Sequence, residues 1–236
     1  MDNIRFDFSD FHRHGRAFYG FLELRKKIFV DHLKWDVPHN DAVEMDQYDT
    51  PVANYSLVVR DGVVIGGARA MATSSVWGEH TYMLRDAFSG KLPHIPRHVM
   101  SVDIASPLVW ECTRLVISDD ITSQVDRSEC LTLIVDGLVE MARAKGANTL
   151  ISLSPLPFMR AMRQLGYGVT LLGDAYRSGE DGRQYGVLRM PAEYSTARRA
   201  QMERSTTAIP LVPVRRSPVE VFLAAARPQI LAEAMA

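Results

Sequence analysis

Long apolar runs are missing from this chain: no stretch of 18 or more apolar residues occurs in its 236 positions, so no segment reads as a membrane-spanning helix. Cysteine is scarce. Cys112 and Cys130 cannot make a disulfide framework and lack the spacing of a zinc site. No metal is therefore expected, and a reducing cytoplasm is the expected setting. An excess of charge is missing too, since 27 Lys and Arg against 28 Asp and Glu leave a net charge of -1. That balance gives no global pull toward nucleic acid or a membrane surface. Within the first 24 residues Asp2, Asp7, Asp10 and Glu23 are scattered among His and Arg, and no secretory signal is expected there. Repeats and low-complexity blocks do not occur.

What remains is a globular composition, 47% hydrophobic and 23% charged, long enough for one α/β domain or one domain with a tail. Phe18, Phe21, Leu22, Ile28 and Phe29 recur at helical spacing and predict a helix. Residues 34–51 are rich in Asp, Asn and Pro and read as a long ordered loop. The segments 53–60 and 63–72 alternate like strands around Asp61-Gly62, a pair suited to a tight hairpin turn. A short helix over 82–89, a strand over 109–118 and a helix with Leu131, Ile134, Leu138, Met141 and Ala142 on one face follow. A strand at 148–154, a helix at 157–165 and strands near 167–173 and 184–190 complete the pattern. This order predicts one mixed sheet with helices on both faces. The domain is expected over residues 1–195, followed by an Arg- and Pro-containing linker and a C-terminal helix beginning near Pro218, within 196–236.

Charge falls where a plain core would have none. Arg25 interrupts an apolar helix, Arg69 a strand, and Glu111 and Arg114 another strand, while Glu44, Asp46 and Asp49 crowd one loop near Trp35 and Tyr48. Each feature alone has an ordinary reading, as a solvated strand face or as Asx turn chemistry. Together they can neutralise one another only as a buried or cleft network, an arrangement over-represented at functional sites. Positions 111 and 114 face opposite sides of a regular strand, so a shared role requires a bulge.

These residues carry a resemblance. Arg25-x-x-x-Phe29, Trp35, Glu44-x-Asp46-Gln47-Tyr48-Asp49, Gly67-x-Arg69, Thr81-Tyr82-Met83-Leu84 and Trp110-Glu111-x-x-Arg114 resemble the acyl-homoserine lactone synthases of the LuxI type in order, spacing and identity, over roughly residues 18–175. The resemblance implies a fold similar to the GCN5-related N-acetyltransferases, a mixed sheet split by a V-shaped cleft. It also implies acyl transfer from an acyl-carrier-protein or acyl-CoA thioester to the amine of S-adenosylmethionine, then lactone closure with release of methylthioadenosine. S-adenosylmethionine is then a substrate, and no cofactor is expected. By the same resemblance Glu111 takes the amine proton, and Asp46 and Asp49 hold the cationic substrate and keep Arg25 and Arg69 in place. Arg25, Arg69 or Arg114 binds its carboxylate, and Glu44, Phe29 and Trp35 line the substrate. Ser152 stands where the family often carries Thr in enzymes preferring a 3-oxo chain. Leu115, where the family often has an aromatic, and the long 91–108 stretch differ from the pattern. The alternatives are a GCN5-related acetyltransferase using acetyl-CoA and a non-catalytic ligand-sensing domain of the same fold. The first wants a glycine-rich turn at a helix N-terminus for pyrophosphate, and residues 123–129 contain no glycine.

Overall fold

The computed structural model describes residues 1–207. Seven strands form a single sheet: β1 (Asp2–Asp7), β2 (Asn54–Arg60), β3 (Val63–Ala72), β4 (Val109–Ile117), β5 (Thr149–Pro155), β6 (Thr170–Arg177) and β7 (Gln184–Pro191), in the order β1-β2-β3-β4-β5-β7-β6. Every pairing is antiparallel except β4 with β5. Helix α1 (Phe11–Arg25) continues as a π-helical segment (Lys26–His32). Helices α2 (Met83–Phe88), α3 (Gln124–Ala144), α4 (Leu156–Gln164) and α5 (Thr196–Thr207) follow. Among the described residues no helix is long and apolar enough to cross a membrane.

The sheet is a mixed one with helices on both faces, as the pattern of elements predicts. Phe21, Leu24, Leu57, Met71 and Leu84 form the core beneath α1 and α2, whereas Ile134, Val135, Leu138, Leu150 and Met162 form the core beneath α3 and α4. Two adjacent glycines let helices approach from both sides. A Cβ on Gly67 would meet Leu57 and Phe21 at 2.5 and 3.0 Å, and one on Gly66 would meet Cys130 at 2.8 Å. The Asp61-Gly62 turn has φ values of 53° and 79°, the left-handed pair that a two-residue hairpin requires.

Two elements are not read from the sequence. No element is read from the sequence before Phe18, yet β1 occupies Asp2–Asp7 and α1 begins at Phe11. Alternating Ile4 and Phe6 face the sheet's neighbours, but flanking aspartates mask so short a strand. The segment read as a linker contains α5. Its Ala, Arg, Gln, Met and Glu residues favour helix, and the Ser195 hydroxyl accepts from the Arg198 amide at 3.3 Å. The expected helix near Pro218 lies outside the described residues.

The position of the cleft follows from the parallel pair. β4 and β5 are in register only at Val109–Thr149, Trp110–Leu150 and Glu111–Ile151, and beyond those residues they separate. On the other edge of β4, Gly67 pairs with Val116 and Arg69 with Thr113. β4 therefore carries one extra residue, a bulge, with Arg114 at φ 55°. The bulge resolves the parity problem. Leu115 packs with the α3 core, and Arg114 turns to the same face as Glu111.

Replacing Gly67 with Val is expected to cost about 1–3 kcal/mol through overpacking. Urea denaturation should show a lower midpoint with an unchanged slope.

Candidate active site

The acidic loop is held by the same groups that give it charge. Asp46 Oδ1 accepts from the Tyr48 amide at 2.9 Å, and Asp49 Oδ2 accepts from the Asp46 amide at 2.9 Å. The Glu44 amide donates to the carbonyl of Leu22 on α1 at 3.2 Å, which brings the loop to the helix carrying Arg25. Turn chemistry and ion pairing thus coexist in one segment.

Six predicted residues meet in one network. Arg25 donates to Glu44 through Nε at 2.5 Å and grips Asp49 with both terminal nitrogens at 2.8 and 2.9 Å. Arg69 grips Asp46 at 2.5 and 3.1 Å, touches Asp49 at 2.9 Å and donates to Thr113 Oγ1 at 3.2 Å. Arg114 forms an ion pair with Asp46 at 2.7 Å and donates through Nε to Glu44 at 3.3 Å. Bidentate forks of this kind are the strong form of the ion pair. Burial works to raise the Asp46 and Asp49 carboxyls. Arg69 and Arg114 beside the first, and Arg69 and Arg25 beside the second, outweigh it and hold both below the usual carboxylate range.

Phe29 lies in the π-helical segment and stacks on Trp35, with ring centroids 5.0 Å apart and planes 2° from parallel. The Arg114 guanidinium sits 5.5 Å from the Phe29 centroid. Trp35 Nε1 is buried and has no hydrogen-bond partner among the described residues.

Glu111 occupies a different environment. Its Oε2 accepts from the Met83 amide at 2.9 Å and its Oε1 from the Leu84 amide at 2.8 Å. The carboxyl therefore caps the first turn of α2. Burial raises its pKa to about 7 against the lowering pull of those two amides. Cys112 points to the other face of β4, and burial pushes its thiol well above the ordinary range, which argues against a thiolate nucleophile.

A cavity of about 650 Å³ fills the space between the parting strands. One wall is Phe29, Trp35, Asp46, Met83, Thr113 and Arg114, and the opposite wall includes Leu131, Val135, Leu138, Ser152, Ser154, Phe158 and Met162. Of the predicted residues, Phe29, Trp35, Asp46, Arg114 and Ser152 form the wall. Arg25, Glu44, Asp49, Arg69 and Glu111 stand one layer behind it. Ser152 shares a hydrogen bond with Ser154 at 3.0 Å between hydroxyls. Sequence reasoning did not single out Thr113, the Met83 and Leu84 amides, or Asp86. Backbone donors leave no side-chain signal, and Asp86 reads as an ordinary helix residue.

A family model described as autoinducer synthase matches residues 13–199. An acyl-homoserine-lactone synthase of Acinetobacter nosocomialis is 34% identical over 155 residues, covering 62% of this chain and 78% of the relative. Among solved structures, TofI in a ternary complex with an inhibitor and MTA superposes with a TM-score of 0.64 at 22% identity, covering 84% of this chain and 95% of TofI. BjaI, a CoA-dependent acyl-homoserine lactone synthase with SAM and isopentyl-CoA, superposes with a TM-score of 0.65 at 18% identity, covering 80% and 82%. At such identities these two likenesses concern the fold.

Asp46→Asn leaves Arg69 and Arg114 short of a buried counter-charge and is expected to destabilise the fold by about 3–5 kcal/mol near neutral pH. Because the Asp46 pKa is depressed, the lost contribution is one present above the ordinary carboxylate range and removed as pH falls well below it. Urea titrations of both proteins at pH 7 check the size.

Proposed function

The chain belongs to the autoinducer synthase family and is an acyl-homoserine-lactone synthase, and from that premise we propose how its cleft joins the two substrates. S-adenosylmethionine lies on the charged wall, and the acyl chain of the thioester runs along the apolar wall. The observation that carries this reading is one continuous cavity whose two walls differ in this way and meet where β4 and β5 part.

Arg114 is the arginine of the three on the wall, and its fork receives the substrate carboxylate. Asp46 faces the cationic ammonium and sulfonium. The Phe29–Trp35 stack covers the sulfonium or adenine, a contact worth about 0.5–2 kcal/mol, and the unpaired Trp35 Nε1 offers a donor. Arg25, Glu44, Asp49 and Arg69 are positioning residues that hold Asp46 and Arg114.

Acylation requires the free amine. Glu111, titrating near 7, takes the amine proton through one bridging water, since its carboxyl stands behind the wall. The amine attacks the thioester carbonyl, a C–N bond forms, and the thiol leaves with a proton. The methionyl carboxylate then attacks the γ-carbon, the C–S bond breaks, and methylthioadenosine departs as the lactone closes.

The donor is an acyl thioester on a carrier protein or on coenzyme A, which share the pantetheine arm, and cytoplasm is the proposed setting. The GCN5-type pyrophosphate cradle is not favoured at α3. Its first turn holds Asp126, whose carboxylate pairs with Arg60 at 2.8 Å, and a carboxylate repels phosphate there. Incubation with S-adenosylmethionine and matched acyl-carrier-protein and acyl-CoA donors tests the reading through methylthioadenosine release. Acetyl transfer to an amine without that release would replace it with the acetyltransferase.

Glu111→Gln is expected to lower turnover by about 10²–10⁴-fold. In the unaltered enzyme the base works when ionised, so kcat/KM should rise as pH passes upward through about 7 and fall below it. A rate profile from pH 5.5 to 8.5 checks both points.

The two serine hydroxyls share one hydrogen bond, which uses one O–H and leaves the other to donate into the cavity. Ser152→Ala is therefore expected to lower the preference for a 3-oxo or 3-hydroxy donor over the plain chain by about 1 kcal/mol, the scale of one net hydrogen bond. Competition between matched donors, with the lactones quantified by mass spectrometry, measures that ratio.

A further inference from the structure

We propose that Asp86 is a positioning residue for acylation: its buried carboxylate ties the turn whose amides hold Glu111 to the acidic loop that carries Asp46. The proposal rests on the reading of Glu111 as the base.

Asp86 is 1% exposed on the short helix α2, where a buried carboxylate is costly unless it is fully partnered. Five donors converge on it. Oδ1 accepts from Thr81 Oγ1 at 2.8 Å and from Lys91 Nζ at 3.2 Å, and Oδ2 accepts from Tyr48 Oη at 3.1 Å. His80 Nδ1 and the Thr81 amide each lie 3.3 Å away. Burial works to raise this carboxyl, but the bonds from Thr81 and Lys91 outweigh it and hold its pKa below the ordinary value. The carboxylate stays ionised and saturated with donors.

Two of these donors point to a role beyond local folding. Thr81 immediately precedes the turn that enters α2, and the Met83 and Leu84 amides of that turn hold the two oxygens of Glu111. Tyr48 belongs to the acidic loop. Its amide donates to Asp46 at 2.9 Å, and its ring lies 5.6 Å from the Arg69 guanidinium. Asp86 thus joins the proton acceptor to the residue facing the substrate ammonium, and proton transfer depends on that separation. The titratable groups around Glu111 are Arg69, Asp46, Tyr48, Tyr82 and Cys112. Those around Asp86 are Tyr48, His80, Lys91 and Arg85.

If α2 drifts, Glu111 loses the amides that lower its pKa while keeping the burial that raises it. The acid limb of kcat/KM should then move to higher pH. Asp86→Asn keeps the shape, removes the charge and turns an N–H toward existing donors. It is expected to lower kcat by about tenfold, with a smaller change in KM for S-adenosylmethionine, and to move the acid limb upward by about half a pH unit or more. Tyr48→Phe removes the bridging hydrogen bond alone and should move the limb the same way by less. Rates are normalised to the folded fraction from circular dichroism. If Asp86→Asn does not fold, Tyr48→Phe decides. An unmoved limb with normal kcat in the folded variants overturns the proposal. Glu111→Gln, run in parallel, separates the two readings. Full activity there removes the base itself, whereas an inactive Glu111→Gln beside an unmoved limb removes only the positioning role.

Discussion

The rest of the site depends on the joint burial of three guanidinium groups with the carboxylates of Glu44, Asp46 and Asp49. None of these charges is tolerable alone in such an environment, because removing one partner leaves a desolvated ion behind. The network is therefore a constraint before it is a source of stability. It requires a loop that brings Asp46 and Asp49 between α1 and β3, and a backbone that turns Arg114 inward. The bidentate forks fix the angle as well as the distance, so Asp46 meets the cavity in a set orientation while Arg25 and Arg69 do not reach it.

The extra residue in β4 links this electrostatic constraint to the shape of the cleft. A regular strand would send Arg114 to the α3 face, among Leu131 and Val135, where no carboxylate awaits it. The left-handed backbone at Arg114 carries a cost that the pairs with Glu44 and Asp46 offset. The same strand leaves its partner β5 after Glu111. One segment thereby supplies the proposed proton acceptor, the wall arginine and one side of the opening, in sequence order and within four residues of each other.

Much of this was legible before any coordinates. The Asp61-Gly62 hairpin, the α3 stripe of Ile134 and Leu138, and the charges lodged in apolar strands are local signals, and they predicted the mixed sheet and the clustering of Arg25, Asp46, Asp49, Arg69 and Arg114. What escaped was non-local or carried by backbone. The parity of 111 and 114 could not be resolved, because a bulge leaves no mark in side-chain identity. The layering of the site was also hidden. Residue types alone do not tell a wall arginine from one sealed behind it, so all three read as equal candidates for the substrate carboxylate. Pro210 and Pro213 outweighed the helix formers of α5 in the reading of the tail.

The two kinds of carboxylate in the site fit the proposed division between binding and proton transfer. Asp46 and Glu111 both feel the charge of Arg69, yet their titrations move in opposite directions. The difference lies in the donors. Asp46 has two guanidinium partners, whose charge more than offsets burial, and so remains an anion throughout the working range. Glu111 has only two neutral amides, too weak to offset burial, and so titrates near neutrality. Were Glu111 given an arginine of its own it would be a poor proton acceptor, and were Asp46 given only amides it would lose its hold on a cation. Pushing the two titrations apart in this way supports the proposed acid–base role for the residue without a cationic partner.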